Sequence, residues 1–314
     1  MRIFHSFDEF KAGGGECRRS RPIVTVGSFD GVHMGHQRLI ADMRSWADEQ
    51  RCETLILTFH LHPRTFMTGV PIKRITSVEH KLDLLASLGV DNTLLVHFDE
   101  ALQATSARDF CANYLVQMFN CRGLLLGHNN SIGRGREGTP ERVKEYGKEL
   151  GFEVRVTDAE TIGSLPLSSS AIRTAIESGD FMQAKTMLGR PYSIQGKVIE
   201  GRKLGRTIGV PTMNLSLEGM VHPPNGVYGV RVRLDGNEYA SVANIGVRPT
   251  VEPGRTEPLL EVHALDLSGD WYGRSIDVEF IFRVRDERQF SGVEELRAQL
   301  QRDIAEVRKR FQTT

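Results

Sequence analysis

Apolar and polar positions follow two different patterns along this chain, and the change between them divides it in two. From Pro22 onward, short apolar runs typical of buried strands alternate with longer stretches that have the spacing of amphipathic helices. The predicted strands are PIVTVGSFD, CETLILTFH, NTLLVHFD, GLLLG and FEVRVTDA. The predicted helices are HQRLIADMRSWADEQR, SVEHKLDLLASLG, ARDFCANYLVQMF, TPERVKEYGKELG and SSAIRTAIESG. This alternation predicts a doubly wound α/β parallel sheet that binds ligands at the carboxyl ends of its strands.

After FMQAKTMLGRPY the pattern changes to short alternating segments that are punctuated by glycine. These segments are YSIQGKVIEG, NGVYGVRVRL, EYASVANIG, LLEVHALDL and SIDVEFIFRVR. Several short strands joined by tight turns predict a small antiparallel β-barrel. The last segment, VEELRAQLQRDIAEVRKRF, has helical spacing and is predicted to pack on the barrel. We place the boundary between residues 183 and 191, which gives domains of residues 1–185 and 186–314.

Composition narrows the class of protein. A chain of 314 residues has the length of about two domains. Forty Lys and Arg balance forty Asp and Glu, so no overall charge favours binding to nucleic acid or to a membrane. Cys17, Cys52, Cys111 and Cys121 lie far apart and fit free thiols in a reducing compartment better than a disulfide framework. Because the sequence has neither a signal-peptide pattern nor an apolar run of about 18 residues, we expect a cytoplasmic protein.

The first candidate site is the turn VGSFDGVHMGHQ, where a strand runs through glycines into a helix. Backbone N–H groups at such a helix start attract phosphate, and Gly27, Gly31 and Gly35 leave room for a ligand beside the backbone. His33 and His36 are three residues apart, so their imidazoles can point the same way and steady the charge on a transferring phosphoryl group. The alternative is an ordinary turn with satisfied histidines.

Three further polar segments favour a binding site over an ordinary turn. His62 and Pro63 follow the second strand, GLLLGHNNSIGRGREG places a polar loop after a later strand, and SSSAIR opens the last helix of this half. All of them fall after strands or at helix starts, where an open α/β sheet binds its ligands.

These residues resemble a known family. GSFDGVHMGHQ is similar to the GxFDGxHxGH signature of the nucleotidyltransferase module in bacterial bifunctional riboflavin kinase/FMN adenylyltransferases, and FHLHP, GRGREG and SSSAIR follow in the family's order. The resemblance implies that two histidines contact the phosphates of ATP while FMN phosphate attacks the α-phosphorus and pyrophosphate leaves. It implies transition-state stabilisation by His33 and His36, ATP binding by Gly27, Phe29, Asp30, Gly31, Ser169 and Arg173, and flavin contacts from His62, Pro63 and Asn129.

The sequence departs from this family in one loop. Relatives carry GxDFxFG or GxNFxFG where this chain has GHNNSIG, so Asn130 and Ile132 replace two aromatic residues, and Leu61 replaces a common proline. A lost buried ring removes packing worth about 1–3 kcal/mol. The alternative function is therefore a riboflavin kinase whose adenylyltransferase half is slow or altered in flavin selectivity.

The second candidate site is EGRKLGRTIGVPTMNL, in which a proline-fixed turn carries Thr212 and Asn214 two residues apart. Extended residues at that spacing point the same way, and a hydroxyl with an amide oxygen suits Mg²⁺ beside phosphate. Glu261 lies within an otherwise apolar strand. Burying a carboxylate is costly, so one found there usually has a functional role or a cationic partner. The alternatives are an ordinary hairpin bend and an ion pair between Glu261 and an arginine.

These segments resemble the riboflavin kinase module of the same family, whose motifs GxxxGRxxGxPTxN, GVY, NxGxxPT, ExHxxD and RxExxF occur here in order. The resemblance implies that Thr212 and Asn214 hold Mg²⁺ with ATP. It also implies that Glu261 takes the proton from the riboflavin 5′-hydroxyl as that group attacks the γ-phosphorus. The remaining implied contacts are ATP phosphates for Gly201, Gly205 and Gly209, and flavin for Arg248 and Arg285.

The chain is therefore predicted to be a bifunctional transferase that makes FMN and then FAD, with riboflavin, FMN and ATP as substrates and Mg²⁺ as the metal. Two other classes are open: a flavin-binding regulator without catalysis, and a nucleic-acid surface formed by GRGREG and RKLGR. The presence of the phosphate and base residues argues against the regulator. Zero net charge and few interleaved aromatic residues argue against nucleic acid. The oligomeric state is left open.

Overall fold

The structure is a computed structural model that describes residues 1–128, 130–158, 161–162, 165–200, 209–249, 256–267, 269 and 271–312. The chain divides into two compact units. Unit 1 comprises Met1–Ile72 and Val78–Ser168, and unit 2 comprises Lys73–Ser77 and Ser169–Thr314.

Unit 1 contains a six-stranded sheet in which every neighbouring pair of strands is parallel. Its strands are β1 (Arg2–Phe4), β2 (Ile23–Val26), β3 (Thr54–Phe59), β4 (Asn92–Val96), β5 (Gly123–Leu126) and β6 (Glu153–Val156), in the order β1-β4-β3-β2-β5-β6. A short antiparallel ribbon of β7 (Thr161–Ile162) and β8 (Leu165–Pro166) follows. The edge strand β1 was not predicted, because three residues are too few to show a period.

The helices of unit 1 connect these strands. They are α1 (Phe7–Gly13), α2 (Gly15–Ser20), α3 (Met34–Gln50), α4 (Pro63–Thr68), α5 (Val78–Ser87), α6 (Glu100–Ala104), α7 (Ala107–Asp109) and α8 (Pro140–Leu150). Helix α7 continues as a π-helix over Phe110–Met118, and a 3-10 turn covers Arg134–Arg136. The segment ARDFCANYLVQMF is helical as predicted, although its apolar spacing did not indicate the π-helical bonding.

Alternate residues of the central strands enter two separate cores. Leu55 and Leu57 of β3 belong to a buried cluster that includes Phe110, whereas Ile56 belongs to a second cluster that includes Trp46. Because successive strand residues point to opposite faces, helices must cover both faces of this sheet. The predicted doubly wound parallel sheet is confirmed.

Strand β2 lies at the switch point of the sheet, where the strand order reverses. The chain adds β3 and β4 on one side of β2, and it adds β5 and β6 on the other side. The loops that leave β2 and β5 therefore diverge at the carboxyl edge, which opens the crevice where sheets of this class bind ligands. GSFDGVHMGHQ runs from the end of β2 and GHNNSIG from the end of β5, so both segments reach this crevice.

Unit 2 contains a six-stranded antiparallel sheet. Its strands are β9 (Ser193–Lys197), β10 (Met213–Ser216), β11 (Gly226–Leu234), β12 (Asn237–Pro249), β13 (Thr256–Ala264) and β14 (Ser275–Asp286), in the order β10-β13-β12-β11-β14-β9. Its edges approach each other where the N–H of Ile199, just after β9, donates to the carbonyl of Asn214 at 2.8 Å. This bridge nearly closes the sheet, and the predicted small β-barrel is confirmed.

Two helices before the barrel, α9 (Ser169–Ser178) and α10 (Phe181–Leu188), group with it in unit 2. The ring of Phe181 packs against those of Tyr228 and Phe280, with centroids 5.8 and 5.6 Å apart. This aromatic contact gives a physical reason for the grouping, although the sequence placed residues up to 185 in the first domain. The predicted boundary between the two catalytic domains stays a prediction.

The last helix, α11 (Val293–Gln312), packs on the barrel, as its spacing predicted. Val307 is buried in a cluster with Val227 and Val242 of the sheet. Arg285 of β14 binds Asp303 of α11 through two nitrogens, with Nη2–Oδ2 at 2.7 Å and Nε–Oδ1 at 3.0 Å. The Asp303 side chain is only 2% exposed, so this ion pair joins the helix to the sheet inside the protein.

We expect Arg285→Ala to lower the free energy of unfolding of unit 2 by about 3–5 kcal/mol, because it leaves the buried Asp303 carboxylate without its cation. Urea unfolding followed by circular dichroism measures the change. The matched control is Arg308→Ala on α11, the helix that carries Asp303. The ion pair of Arg308 with Asp266 is exposed and should matter little. Equal losses in the two variants would contradict the assigned role of the buried pair.

Candidate active sites

The turn that leaves β2 has an unusual backbone. Phe29, Gly31 and Val32 have φ angles of 49°, 79° and 40°, which places all three in the left-handed region. That region is uncommon for residues other than glycine and strained for a β-branched residue. The side chains of Phe29 and Val32 are nearly fully buried in the cluster that includes Trp46. Core packing therefore holds the turn in its strained shape.

Side chains from outside the turn bind its carbonyl groups. Nδ2 of Asn130 donates to the carbonyl of Val26 at 2.5 Å, and Nε2 of Gln37 donates to the carbonyl of Val32 at 2.9 Å. Ile132 is buried in the cluster on the other face of the sheet. The GHNNSIG loop, where we expected lost packing, thus supplies a hydrogen bond to the turn and a buried apolar side chain.

The rings of His33 and His36 lie together at the start of α3. His33 caps this helix, since its Nδ1 accepts a hydrogen bond from the backbone N–H of His36 at 3.4 Å. The two rings stack with their centroids 3.7 Å apart, and the ring of Phe29 lies 5.0 Å from that of His36. A Cβ added at Gly35 would come within 3.4 Å of the His33 ring, so this glycine gives the ring its room. The structure brings together the pair that the sequence spacing singled out.

The His36 imidazole is held in its neutral form. Burial lowers its pKa well below the ordinary value, and the neighbouring His33 and Lys81 lower the pKa further. Nδ1 of His36 is buried and has no hydrogen-bond partner among the residues that the structure describes. An unsatisfied buried nitrogen calls for an explanation, and a ligand at the helix start provides one. Gly27 and Asp30 belong to the same turn, and Asp30 is buried.

The residues predicted on the flavin side follow β3. His62 caps the short helix α4, with its Nδ1 accepting from the N–H of Arg64 at 3.1 Å, and Pro63 is the first residue of that helix. Four apolar side chains of this segment are exposed: Leu61, Phe66, Met67 and Val70. Exposed apolar side chains in such a group mark a surface that meets a ligand or a partner. This patch was not predicted from the sequence, because six residues of helix are too short to show a period.

Of the residues predicted for the first site, two belong to unit 2 and one lies outside the described residues. Ser169 and Arg173 lie in the first turns of α9, which belongs to unit 2. Nε of Arg173 donates to the carbonyl of Lys73, in the same unit, at 2.7 Å. Asn129 lies outside the described residues. The ATP contacts of Ser169 and Arg173 and the flavin contact of Asn129 stay predictions.

In unit 2, strand register assembles the second site. Asn214 of β10 is paired with Glu261 of β13, and Glu261 is paired with Asn244 of β12. Paired residues of an antiparallel sheet share a face, so two amides flank one carboxylate. Asn214 is 3% exposed, and its Oδ1 lacks a hydrogen-bond partner within the described part of the chain. An unsatisfied buried oxygen beside a carboxylate fits Mg²⁺, which prefers oxygen ligands.

The proline turn before β10 is fastened to β13. Nδ1 of His263 lies 2.8 Å from the carbonyl of Pro211, and it must carry the proton because a carbonyl only accepts. Thr212 follows directly, is the last residue before β10, and lies two residues before Asn214. Gly209 has a φ of 80°, which suits glycine. Gly201 and Gly205 lie outside the described residues, and only the backbone of Arg248 is described.

Arg285 occupies the far end of the same row of the sheet. Asn244 is paired with Val227, and Val227 is paired with Arg285. The guanidinium is engaged by Asp303 and by the carbonyl of Asp286, at 2.9 Å. The structure therefore gives Arg285 a fastening role, and its predicted flavin contact stays a prediction. Asn244 was not singled out from the sequence, because only the register shows that it adjoins Glu261.

Unit 1 has a strained turn with paired imidazoles at the switch point of a parallel sheet, and unit 2 has an unsatisfied buried amide oxygen beside a carboxylate. Together these features indicate a two-site phosphate-transferring enzyme. The chain matches the FAD synthetase family model over residues 17–171 and the riboflavin kinase family model over residues 188–311. The bifunctional riboflavin kinase/FMN adenylyltransferase of Escherichia coli (strain K12) is 37% identical over 294 residues, which is 93% of each chain. That of Bacillus subtilis (strain 168) is 35% identical over 299 residues, again 93% of each. This chain belongs to the family of bifunctional riboflavin kinase/FMN adenylyltransferases.

Similarity to a solved structure extends over nearly the whole chain. A crystal structure titled as a macrolide-efflux protein from Streptococcus pneumoniae has a TM-score of 0.80 and 26% identity, and the match covers 98% of this chain and 99% of that one. Within the described residues of this chain, no helix is long and apolar enough to cross a membrane. The predicted family, fold class and order of the two transferase halves are confirmed, while the roles of individual residues stay predictions.

The lowered pKa of His36 predicts that unit 1 loses stability as the pH falls. The unfolded chain binds a proton at this histidine near pH 6.5, whereas the folded protein resists protonation until a lower pH. Between the pKa of His36 in the unfolded chain and its lower pKa in the folded protein, this residue alone should lower the free energy of unfolding. The loss should be up to about 1.4 kcal/mol for each unit by which the pH falls. Urea unfolding at several pH values from 7.5 to 5 should therefore give a flatter profile for His36→Asn than for the wild type.

The control for this experiment is His128→Asn, which removes an exposed histidine of the same unit. If the profiles of wild type and His36→Asn run parallel, then His36 is not held neutral in the folded state.

Proposed function

We propose that unit 2 transfers the γ-phosphoryl group of ATP to riboflavin, and that unit 1 then transfers the adenylyl group of a second ATP to FMN. The first reaction gives FMN and ADP, and the second gives FAD and pyrophosphate. The observation that carries the proposal is the strand register that sets Asn214, with its unsatisfied buried oxygen, beside Glu261. A metal-type ligand beside a base is what phosphorylation of a hydroxyl group requires.

The metal of the kinase reaction is Mg²⁺ in this proposal. Oδ1 of Asn214 and the hydroxyl of Thr212 would hold it, together with phosphate oxygens of ATP. The bound ion would neutralise charge on the transferring phosphoryl group. Support comes from the chemistry of the residues, because an amide and a hydroxyl are neutral oxygen donors that leave most of the ion's coordination to phosphate and water.

Glu261 acts as the general base. It is partly buried on the face that it shares with Asn214 and Asn244, so its carboxylate stands next to the proposed metal ligand. The carboxylate takes the proton of the riboflavin 5′-hydroxyl as the oxygen attacks the γ-phosphorus, and ADP leaves. The hydrogen bond from His263 to the Pro211 carbonyl keeps the metal-binding turn against the strand that carries this base.

The adenylyl transfer relies on positioning and on hydrogen-bond donors. Nδ1 of His33 accepts from a backbone N–H, so the proton of the neutral ring is on Nε2, where it can be donated to a phosphate oxygen. The N–H groups of the first turn of α3 add to this donor set. These groups are fixed before ATP arrives, so they stabilise the charge that develops on the phosphates without rearranging.

The flavin of FMN is assigned to the segment that follows β3. His62 and Pro63 start α4, and the exposed side chains of Phe66 and Met67 offer an apolar surface for a flat aromatic ring. Asn130 and Ile132 have structural roles in unit 1, which favours a working adenylyltransferase over a weakened one. We therefore prefer two full activities.

Two further features belong to the proposal. The functional boundary lies between residues 185 and 186, with the adenylyltransferase half first. The protein works in the cytoplasm, which supplies ATP and keeps thiols reduced, and all four cysteines are free.

Incubation of the purified protein with riboflavin, ATP and Mg²⁺ should give FMN first and FAD later, because the product of one unit is the substrate of the other. Chromatography over time separates the two products. Accumulation of FMN with little FAD would support the alternative of a weakened adenylyltransferase half, and absence of both products would refute the proposed function.

Glu261→Gln should lower the rate of FMN formation at least about 100-fold and leave ATP binding largely intact, because the amide cannot accept the proton. Steady-state kinetics with riboflavin and calorimetric titration with ATP measure the two effects. The matched control is Glu238→Gln, which changes an exposed glutamate of the same barrel and should keep normal turnover. Undiminished turnover of Glu261→Gln would remove the residue from the base role.

A further inference from the structure

Lys81 is a buried cation near the crevice of unit 1. It lies in α5 and is 6% exposed. Lysine is among the residues that are least often buried, because its ammonium group loses hydration. A leucine or methionine could fill the same space at lower cost, so packing alone does not account for this lysine.

The ammonium group of Lys81 joins two strand ends. Nζ donates to the carbonyl of Phe59 at 2.8 Å, to Oγ1 of Thr58 at 3.1 Å, and to the carbonyl of Ser28 at 3.3 Å. The hydroxyl of Thr58 in turn donates to the same Ser28 carbonyl at 3.1 Å. An ammonium has three N–H donors, enough for these three acceptors. The network links the end of β3 to the turn that leaves β2.

The two linked segments are those assigned to the two substrates. Ser28 belongs to the strained turn that leads to His33 and His36, the phosphate end of the site. Phe59 is the last residue of β3, and the chain then runs directly into His62 and α4, on the flavin side. Lys81 therefore links the segment assigned to ATP with the segment assigned to FMN.

The same ammonium also influences the pKa values of imidazoles on both segments. The pKa of His36 is lowered by burial first, then by His33 and by Lys81. The pKa of His60, which follows Phe59, is lowered by burial first, then by His97 and His5, and also by Lys81. The charge of Lys81 thus acts on an imidazole of each segment.

We propose that Lys81 is a positioning residue for adenylyl transfer, whose ammonium group fixes the phosphate-binding turn against the flavin-side segment. The inference rests on the proposed function of unit 1. Each segment would still bind its own substrate without Lys81. The phosphate of FMN and the α-phosphorus of ATP would then meet in poorly defined geometry, and reaction rates depend steeply on that geometry.

The test is steady-state kinetics of FAD formation by the full-length Lys81→Met variant, with ATP and FMN varied separately. Methionine keeps most of the length and the apolar contacts of lysine but has no donor. We expect kcat to fall about 30-fold or more, with both KM values within about threefold of wild type. FMN formation from riboflavin should keep its wild-type kcat, because it belongs to the other unit and reports the integrity of the chain.

Two outcomes overturn the inference: a kcat for FAD within about threefold of wild type, or a rise in KM at unchanged kcat, which would mean substrate binding rather than positioning. If near-ultraviolet circular dichroism shows that unit 1 of Lys81→Met is not folded, the Thr58→Val variant tests the inference instead. That variant retains the lysine and its charge but removes both hydrogen bonds of the Thr58 hydroxyl, to Lys81 and to the Ser28 carbonyl. It should lose at least about fivefold in kcat at unchanged KM. Unchanged kcat in Thr58→Val would then overturn the inference.

The wild-type protein separates this inference from the function on which it rests. Wild-type protein that makes no FAD refutes the proposed adenylyl transfer itself. Wild-type protein that makes FAD no faster than folded Lys81→Met refutes only the role of Lys81.

Discussion

The first half of the chain depends on one stretch of backbone, residues 27–33, which leaves the central strand through left-handed conformations. Thr58 of β3 and Gln37 of α3 bind carbonyls within this stretch, and Asn130 after β5 binds the carbonyl of Val26 directly before it. Strain of this kind persists only where the surroundings over-determine the backbone. The helix start and its imidazoles are therefore fixed before a substrate arrives, and a phosphate group would meet donors that need no rearrangement.

In the second half of the chain, strand register fixes the positions of the polar groups before a substrate arrives. The side-chain period of a strand is two, so a slip of β13 by one residue would turn Glu261 to the opposite face of the sheet. Leu260 and Val262 on either side of it are fully buried, and the same slip would expose both. The apolar core of the barrel thus fixes the place of the carboxylate beside Asn214. Here a hydrophobic interaction, rather than backbone strain, positions the polar groups.

The sequence predicted the features that lie within one contiguous segment. The apolar runs of β2 to β6 predicted the parallel sheet. The spacing of His33 and His36 predicted that their rings point the same way, and in the structure they stack. It could not show that the Asn130 amide reaches Val26, because the two residues meet only in the folded sheet. Short elements were missed for a different reason: β1 and α4 span less than two periods of their patterns. For Arg285 the motif suggested a flavin contact, whereas the fold supplies Asp303 as a buried partner.

The effect of a departure from the family motifs depends on what the fold requires at that position. A motif records which residue types usually occur, but the proposed adenylyl transfer requires that the turn after β2 be held rigid. Asn130 meets that requirement by a hydrogen bond to Val26, and Ile132 contributes buried apolar surface to the core. The absence of two aromatic residues from GHNNSIG therefore does not by itself weaken the phosphate end of the site. A substitution that releases the turn should be more damaging, even where it lies outside every recognised motif, because it would free both histidines to move.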